Sequence, residues 1–506
     1  MDKKPPSNGP ASHVVVLGGG LAGMAATCHL LDAGHPVTLV EKRPFLGGRA
    51  FSFFHSFVGD EGQEAPTAES LHSGEGDDAT GVPESRETSA AGFPVDNGQH
   101  VFLGCCDYYI DFLRKLGTLD RAHLQPTLRV RVASPARNGR RNRTGLLTAA
   151  PLPAPFHLLP SFVTYPHLGI KDKLLALYAL LKIRFSNRHR PELEDQTFLQ
   201  WLKDNGQTDR AIENFWDLII LPTLNDHVGD VSASMGMMIY QDGVISSRTG
   251  ANVGYALVGL SDLMGNAAEE YIAARGGRLM LGKRVTEVLV SGSRSRSIGG
   301  VRLASGETVQ GDVYLSALPF HTLPSVLPSE LNQEPFFAGI GKLTASPIVN
   351  VHIWYDREVM EPSSPPFTAF VDSPLQWVFD KRSILASSGA GGAAGFDGQY
   401  IGISVSGAWD YADKPKEQIR QVFTEAMAEA FPRARDARVQ QLLIVKSTAT
   451  FRCTPGSARL RPPNVTPVEN LFLAGDWTDT GWPSTMESAV RSGAAAARAI
   501  DAGGSA

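Results

Sequence analysis

Apolar and polar positions near the start of the chain follow a strand–turn–helix–strand order. Residues 13–17 form an apolar run, residues 18–23 are rich in glycine, and residues 24–33 are rich in Ala and Leu. Gly34 then supplies the residue type that commonly ends a helix, and 36–40 is a second apolar run. This order predicts a parallel βαβ unit that opens the chain.

Strand and helix patterns return at intervals along the rest of the chain. Strands are predicted at 278–281, 285–290, 301–303, 313–317, 348–355, 400–406 and 471–474, and helices at 174–183 and 416–430. An Ala-rich helix follows the last of these strands. Strands and helices mixed over the whole length predict an α/β protein.

The chain length predicts two or three lobes, and the composition is that of a globular protein. The chain has 506 residues, of which 42% are hydrophobic and 20% charged, with a net charge of −5. This balance gives no reason to expect a nucleic-acid partner. Residues 1–12 and 59–92 are predicted to be disordered, because they lack the large apolar residues of a core. No apolar run of roughly 18 residues predicts a membrane-spanning helix.

Charge is distributed unevenly. Residues 129–190 contain twelve Lys and Arg residues and a single acid, Asp172, which gives this stretch a local charge of +11. Apolar segments at 151–168 and 174–183 lie between the basic residues. Such a surface could make peripheral contact with an anionic bilayer. The alternative is a cap domain whose helices pack in a core while the basic side chains stay solvated.

The four cysteines, Cys28, Cys105, Cys106 and Cys453, form no CxxC pair and no Cys/His cluster with zinc spacing. We therefore expect no metal site, and a reducing, cytoplasmic compartment. The adjacent Cys105 and Cys106 are either a redox pair or, as we favour, two small residues at the start of a helix.

The glycine-rich turn has the spacing of a dinucleotide-binding fingerprint, Gly-x-Gly-x-x-Gly. Gly18 allows the tight turn, Gly20 lets the backbone approach a pyrophosphate, and Gly23 lets the helix pack closely on the strand. The phosphates are expected at the helix N-terminus, beside Leu21 and Ala22.

An acidic residue and a second glycine motif follow the turn. Glu41 ends the second strand, eighteen positions after the last glycine, where a carboxylate accepts hydrogen bonds from ribose hydroxyls. It opens an E-x-R-x-x-x-G-G-R string that contains Lys42, Arg43, Gly48 and Arg49. This string resembles the FAD fingerprint of the amine oxidase and phytoene desaturase superfamily. The resemblance places Arg43 near the adenine-side ribose and Arg49 at the pyrophosphate.

A third motif lies more than 400 residues later. Gly475 and Asp476 follow an apolar strand, and Thr485 and Met486 open the final helix. In the same superfamily a Gly-Asp or Gly-Glu pair after a late strand bonds the ribityl or phosphate region of FAD. The N–H of Met486 is our candidate donor to the flavin edge that becomes negative on reduction. The alternative is an ordinary strand–loop–helix with a capping turn.

A fourth motif, Asp-Asn-Gly-Gln-His, ends at His100. A corresponding loop of the superfamily runs past the flavin ring, so Gln99 and His100 could face the substrate. The alternative is a simple turn before a helical stretch, because Asp, Asn and Gly are ordinary turn residues.

Taken together, the strings HVVVLGGGLAGMAATCHLLDAGHPVTLVEKRPFLGGRAFSF, VDNGQHVFLG and NLFLAGDWTDTGWPSTMESAVRSG resemble the hydroxysqualene dehydroxylase family of squalene-associated, FAD-dependent desaturase-like proteins. The resemblance implies a Rossmann-like FAD-binding domain of the amine-oxidase type with a discontinuous mixed α+β substrate and cap domain. The FAD-binding parts are expected at 13–58, 261–320 (with Val285 near the cofactor) and 466–506, a flavin-proximal segment at 93–128, the cap at 129–260 and the substrate domain at 321–465.

The resemblance also implies a reaction, the reductive removal of an allylic hydroxyl from hydroxysqualene in squalene and hopanoid synthesis. Non-covalent FAD would be the cofactor and NADPH the electron donor. The reaction needs an apolar tunnel and an acid for the leaving hydroxyl; His100 is the first candidate, with Asp226 or Asp96 behind it.

Two alternatives remain open at this point. One is a carotenoid desaturase of the phytoene type, or an amine oxidase, of the same superfamily. The other is a membrane-bound FAD-binding module without turnover. The basic stretch at 129–190 and a polyprenoid substrate suggest a cytoplasmic protein on the inner face of a membrane. The sequence leaves the oligomeric state open.

Overall fold

A computed structural model describes residues 11–56, 92–136, 142–291, 297–363, 365–387 and 396–503 of the chain. Disorder is predicted for 1–12 and 59–92, and all of these residues except Ala11, Ser12 and Gly92 lie outside the described ranges; Gly92 is the first residue of a strand.

The described strands are, in chain order, β1 (Val14–Leu17), β2 (Val37–Val40), β3 (Ser52–Ser56), β4 (Gly92–Asp96), β5 (Val101–Leu103), β6 (Ala122–Leu124), β7 (Arg129–Ser134), β8 (Arg143–Thr148), β9 (Val253–Ala256), β10 (Arg278–Met280), β11 (Val285–Ser291), β12 (Ser297–Leu303), β13 (Thr308–Val309), β14 (Val313–Ser316), β15 (Ala345–Tyr355), β16 (Phe367–Phe370), β17 (Trp377–Asp380), β18 (Gln399–Val405), β19 (Val439–Phe451) and β20 (Leu471–Leu473).

The described α-helices are α1 (Leu21–Asp32), α2 (Asp107–Leu116), α3 (Leu159–Val163), α4 (Ile170–Phe185), α5 (Pro191–Asp195), α6 (Phe198–Asp204), α7 (Asp209–Ala211), α8 (Asp217–Leu224), α9 (Ala233–Met238), α10 (Asn266–Ala273), α11 (Leu323–Val326), α12 (Ser329–Asn332), α13 (Pro335–Ala338), α14 (Lys381–Ala386), α15 (Trp409–Ala412), α16 (Lys416–Ala430) and α17 (Met486–Asp501). Short 3₁₀ and π turns connect several of them.

A five-stranded parallel sheet in the order β10-β2-β1-β14-β20 forms the first layer. All four residues of β1 are buried, as expected for the central strand of a parallel sheet covered on both faces. The predicted βαβ unit and the Rossmann-like α/β class are confirmed. Helix α1 starts at Leu21, three residues before the predicted helix start, because only 18–20 are needed for the turn.

Segments far apart in the sequence build this layer. Strand β14 joins β1, and β20 joins β14, so the last sixth of the chain returns to the first strand. Helix α17 packs against α1 at Gly493, where a Cβ atom would lie 2.3 Å from the carbonyl oxygen of Ala22. The glycine is therefore required by the close approach of the two helices.

A seven-stranded mixed sheet, in the order β19-β15-β18-β17-β16-β7-β8, forms a second unit. Its strands are antiparallel except at the β16–β7 pair. Strands β7 and β8 come from the segment that the sequence assigns to the cap, so this segment supplies the edge of the sheet formed by 345–451. The residues of β7 alternate between buried and more exposed positions, as expected for a strand with one face on the core.

Helices α3–α9, which lie between β8 and β9 in the chain, form a helical layer that shares one hydrophobic core with β7 and β16. Its core contains a cluster of aromatic rings in which Trp216 and Tyr240 meet edge to face, with centroids 4.8 Å apart. No helix in the described ranges is long and apolar enough to cross a membrane.

Candidate active site

The glycine turn after β1 is shaped by backbone contacts that exclude side chains. Gly18 has a φ of +104°, and a Cβ atom there would lie 2.9 Å from the carbonyl oxygen of Ala317. A Cβ on Gly23 would lie only 1.9 Å from the carbonyl oxygen of Gly18. At Gly20, by contrast, the nearest atom to an added Cβ is the Cα of Gly48 at 3.8 Å. The turn thus has no room for a side chain at Gly18 or Gly23, whereas the space beside Gly20 is open.

The N-terminus of α1 follows this opening directly. Its first intrahelical bond runs from the N–H of Met24 to the carbonyl of Gly20, at 2.8 Å. The N–H groups of Leu21, Ala22 and Gly23 therefore have no carbonyl partner one turn earlier in the helix. Free N–H groups and the positive end of the helix dipole suit a pyrophosphate.

Glu41 lies beside the turn at the end of β2. Its carboxylate accepts hydrogen bonds from the N–H of Gly19 at 2.6 Å and of Arg43 at 2.9 Å. The N–H of Lys283 donates to the Glu41 carbonyl at 2.8 Å. The segment that leads into Val285 is therefore anchored next to Glu41, at the end of the turn where the adenosine half of a dinucleotide would lie.

The Gly-Gly-Arg loop is held against the glycine turn. Arg43 donates from Nη1 to the carbonyl of Gly48 at 2.5 Å, and its guanidinium lies 4.7 Å from the ring centroid of Phe51. Burial lowers the pKa of Arg43. A Cβ on Gly48 would lie 2.7 Å from the Cα of Gly20, so the two glycines permit a contact of bare backbones. Lys42 stays exposed at the start of this loop.

An ion pair between Arg49 and Asp476 joins the two ends of the chain, 427 positions apart. Asp476 is almost fully buried and also accepts a hydrogen bond from the hydroxyl of Ser484. Arg49 follows Gly48 directly, so this pair lies next to the opening at Gly20. The structure therefore joins the second and third sequence motifs beside the first.

Arg461 is a functional-site residue that the sequence analysis missed. It is buried, and its Nη2 donates to the carbonyl oxygens of Asp476 at 3.2 Å and Thr478 at 2.5 Å. Burial lowers the pKa of its guanidinium. A single arginine in a proline-rich loop carries no motif, so nothing in the sequence marks it.

The N-terminus of α17 also lies at this end of the parallel sheet. Thr485 caps it by accepting a hydrogen bond from the N–H of Ser488 at 3.1 Å, and Met486 is the first helical residue. The N–H of Met486 is thus one of the unpaired donors of the first turn.

Glu487, the next residue, was also missed. Its carboxylate accepts hydrogen bonds from the N–H groups of Tyr108 at 3.3 Å and Tyr109 at 2.8 Å, and it pairs with Arg491. Burial raises its pKa. Glu487 therefore ties the first turn of α2 to the first turn of α17.

The Asp-Asn-Gly-Gln-His loop rests on a buried ion pair. Lys381 donates from Nζ to Asp96 at 3.0 Å and to the side-chain carbonyl of Gln99 at 2.9 Å. Asp96 also accepts from the hydroxyl of Ser52 at 2.8 Å and the N–H of Leu260 at 3.0 Å. Burial alone would raise the pKa of Asp96, but Lys381 and these donors outweigh it and lower the pKa. Lys381 thus fixes the position of Gln99.

His100 lies at the end of this loop, half-buried. Its Nδ1 lies 2.9 Å from the carbonyl oxygen of Gly98, and burial lowers its pKa. A neutral ring that donates from Nδ1 leaves Nε2 as an acceptor. The loop leads into β5, not into the predicted helical stretch; α2 begins only at Asp107, with Cys106 buried at its N-cap.

Asp226 belongs to a different network. It is fully buried, accepts hydrogen bonds from Arg452 at 2.8 Å and from the Trp409 indole at 3.0 Å, and contacts the Ser346 hydroxyl at 3.0 Å. None of these partners belongs to the four sequence motifs, so the structure does not place Asp226 with the loop that ends at His100.

The residues around Gly20 fit the FAD predicted from the sequence. The bare glycine surface, the free N–H groups of α1, Glu41 and the Arg49–Asp476 pair match a pyrophosphate flanked by two sugar or ribityl groups. Burial raises the pKa of the Cys453 thiol to about 12, so it is a poor candidate for covalent flavin attachment. Among the described residues, no group of three or more His, Cys, Asp or Glu side chains could hold a metal ion.

Comparison with known proteins agrees with this geometry. The family model for the flavin containing amine oxidoreductase matches residues 78–501, and that for the NAD(P)-binding Rossmann-like domain matches 16–67.

Curated relatives align over nearly the whole chain. The zeta-carotene desaturase of Zea mays is 27% identical over 96% of this chain and 82% of its own length. The zeta-carotene desaturase of a Synechocystis strain is 26% identical over 96% of both chains. A solved oxidoreductase from Methanosarcina mazei shares the fold, with a TM-score of 0.66 at 16% identity over 95% of this chain and 98% of that one. These findings support the superfamily of the predicted resemblance but not its specific dehydroxylase family. The chain belongs to the flavin containing amine oxidoreductase family.

Proposed function

We propose that the chain is a flavin-dependent redox enzyme that acts on a long isoprenoid hydrocarbon. The observation that carries this proposal is the Arg49–Asp476 ion pair, because it unites two FAD motifs from opposite ends of the chain. The substrate class is supported by the carotenoid desaturases among the relatives and by the sequence strings at 13–53, 95–104 and 470–493.

The cofactor side of the proposal assigns a role to each end of the site. FAD, when bound, supplies two-electron redox chemistry. Gly20, the first turn of α1 and Arg49 would hold its pyrophosphate, Glu41 would hold its adenosine ribose, and Asp476 would hold the ribityl or phosphate region. The N–H of Met486 would donate to the edge of the ring that becomes negative on reduction.

The substrate side is assigned to the loop that ends at His100. Lys381 anchors this loop through Asp96 and Gln99, and the His100 ring is held by its contact with the Gly98 carbonyl. The lowered pKa of His100 keeps its ring neutral, and Nε2 is then able to accept a proton. A neutral imidazole is a better base than acid, so this geometry suits proton removal more than protonation of a leaving group.

Desaturation is the form of the reaction that these observations favour. A hydride and a proton leave adjacent carbons of the hydrocarbon, and a carbon–carbon double bond forms between these carbons. His100 Nε2 would take the proton, and the hydride would pass to bound FAD. The electrons pass on to an external acceptor such as a quinone. The desaturases that align with this chain, and the neutral His100, both support this form.

Reductive dehydroxylation of hydroxysqualene is the second candidate. The strings DNGQH and GDWTDTGWPSTMESAVRSG favour it through the resemblance to the hydroxysqualene dehydroxylase family. Here the carbon–oxygen bond breaks, the hydroxyl leaves as water after protonation, and a hydride forms the new carbon–hydrogen bond. NADPH would supply the electrons; because the sequence holds no second glycine fingerprint, its contact would be transient.

Anaerobic incubation of the purified flavoprotein separates the two forms. One set of reactions contains phytoene or zeta-carotene with a quinone, and the other hydroxysqualene with NADPH. Desaturated carotene supports the first form, and squalene supports the second. If neither set gives a product while flavin remains bound and reducible, the proposal of an isoprenoid substrate is wrong.

A substitution at His100 tests the base. We expect His100→Ala to lower kcat at least about tenfold, because positioned general bases contribute roughly 100-fold or more, while bound flavin is retained. The control is His123→Ala, a histidine on β6 outside the loop. Unchanged turnover of His100→Ala would remove His100 from the proposed chemistry.

A further inference from the structure

Helix α4 carries apolar side chains on two faces. On the inner face Ala176, Ala179 and Ile183 are fully buried. On the outer face Ile170, Leu174, Tyr178, Leu181 and Phe185 are between 49% and 83% exposed. Their spacing of three or four residues places these five side chains in one stripe along the helix. Core packing needs only the inner face, so it does not explain the outer one.

Further apolar exposure lies close by in the sequence. Of the thirteen large hydrophobic side chains that are exposed in the described ranges, nine fall between residues 146 and 185. Phe156 and Val163, each 57% exposed, lie just before α4. Concentration of this kind marks an interaction surface, whereas single exposed apolar residues need no explanation. Val163 lies beside α4, because its carbonyl oxygen accepts a hydrogen bond from Lys173 at 2.6 Å. We name the outer stripe of α4 together with Phe156 and Val163 the α4 face.

The charges around the α4 face are basic. Lys171, Lys182 and Arg184 are exposed on the same helix. The one acid between 146 and 186, Asp172, is buried; it accepts hydrogen bonds from the N–H of Gly169 at 2.9 Å and from the Thr208 hydroxyl at 2.7 Å. Its charge is therefore turned inward, and the exposed charges between residues 146 and 186 are all positive.

This combination fits a lipid surface better than a second copy of the chain. Two α4 faces in contact would bring Lys171, Lys182 and Arg184 of each copy together, and like charges repel. An anionic bilayer offers opposite charge to the basic residues and hydrocarbon to the stripe. The sixteen residues of α4 extend only about 24 Å, less than the roughly 30 Å of a bilayer core, so the helix would lie in the surface and not cross it.

We propose that the α4 face docks on the surface of an anionic lipid bilayer, with the outer stripe of α4 in the acyl boundary and Lys171, Lys182 and Arg184 among the headgroups. This inference goes beyond the proposed function and rests on the surface alone. It narrows the basic region predicted from the sequence to one helix and the loop before it. Of the basic residues in that region, Arg137, Arg140 and Arg141 lie outside the described residues.

Vesicle co-sedimentation of the flavoprotein tests the proposal. One set of vesicles is phosphatidylcholine and the other phosphatidylcholine mixed with phosphatidylglycerol. We expect binding to the anionic vesicles at low salt and weaker binding as salt rises. The double variant Leu174→Gln/Phe185→Gln should bind at least about tenfold more weakly, because each side chain loses its apolar insertion.

A charge variant separates the two contributions. Lys171→Gln/Arg184→Gln should lower binding to anionic vesicles by about fivefold per charge removed, and leave binding to phosphatidylcholine unchanged. The matched control for the apolar variant is Val290→Gln, which changes an exposed apolar residue on β11. This variant should bind vesicles as the wild type does.

Two results would overturn the proposal. One is a folded, flavin-containing wild type that does not sediment with anionic vesicles at low salt. The other is a Leu174→Gln/Phe185→Gln variant that binds anionic vesicles as tightly as the wild type does. If sedimentation velocity then shows a monomer where the wild type is a dimer, the α4 face is a contact between two copies of the chain.

Discussion

Two regions of this molecule break the usual rule of burial in opposite directions. Beside the candidate site, charged side chains are buried: Lys381 and Asp96 under the loop that ends at His100, Arg461 and Glu487 around the final helix. On α4, large apolar side chains are exposed, up to 83% at Phe185.

This difference in burial indicates which parts of the fold are retained for function and not for stability. Buried charges cost desolvation energy, and exposed apolar side chains forgo burial energy. Neither arrangement is needed to hold the sheets together. The buried charges fix loops from distant segments around the candidate site, while the exposed stripe of α4 is the surface that we propose for a partner.

The largest effect is expected where a buried charge loses its partner. Lys381→Met leaves Asp96 unpaired in the interior, which should lower the free energy of unfolding by about 3–5 kcal/mol. Chemical denaturation followed by circular dichroism measures it. The double variant Lys381→Met/Asp96→Asn is the control and should regain part of the loss; a single variant as stable as the wild type would mean that the pair contributes nothing.

The same pair predicts a pH dependence. The pKa of Asp96 is lowered in the folded protein, so its contribution is complete above the unfolded value of about 3.9 and is lost as the pH falls through the lower folded value. The stability difference between wild type and Asp96→Asn should therefore shrink in acid. A difference that stays constant from neutral to acid pH would contradict this assignment.

The next effect is expected on cofactor affinity. Arg49→Ala removes a charged partner at the pyrophosphate and should weaken FAD binding by roughly ten- to a hundredfold, since hydrogen bonds to charged groups contribute about 1.5–3 kcal/mol. Fluorescence titration of the apoprotein with FAD measures it. Arg302→Ala, which removes a surface arginine paired with Glu287, is the matched control and should bind FAD normally.

A smaller loss is expected at the contact between α1 and α17. Gly493→Ala forces a Cβ to within 2.3 Å of the Ala22 carbonyl oxygen and should destabilise the fold by about 1–3 kcal/mol. Gly341→Ala is the control, because its Cβ would meet open space. Equal melting temperatures of the two variants would show that the helices separate freely at this point.

The smallest effect is expected on α4, and it sharpens the contrast with the buried charges. Leu174→Gln, at a position 63% exposed, should change stability by no more than about 0.5 kcal/mol. On the opposite face, Ile183→Ala should cost about 2–5 kcal/mol, since Ile183 is fully buried. A large loss from Leu174→Gln would mean that the outer stripe is part of the core.

Local sequence patterns predicted much of the fold and of the candidate cofactor site. The turn at Gly18–Gly23, the string from Glu41 to Arg49 and the start of α17 are each visible in the sequence, since their chemistry depends on neighbours in the chain. The position of Lys381, Arg461 and Glu487 was not predictable, because each is a lone residue whose partners lie far away in sequence. The β7–β8 edge of the mixed sheet was missed for the same reason, as strand pairing is a tertiary property. In α4, apolar residues on both faces hide which face turns outward.

The central claim is that both ends of the chain build one FAD site, and a flavin spectrum tests it most directly. The purified protein is expected to show flavin absorbance from a stoichiometric amount of FAD, and trichloroacetic acid precipitation should release all of it to the supernatant. A folded protein that shows no flavin absorbance, even after incubation with FAD, would contradict the claim.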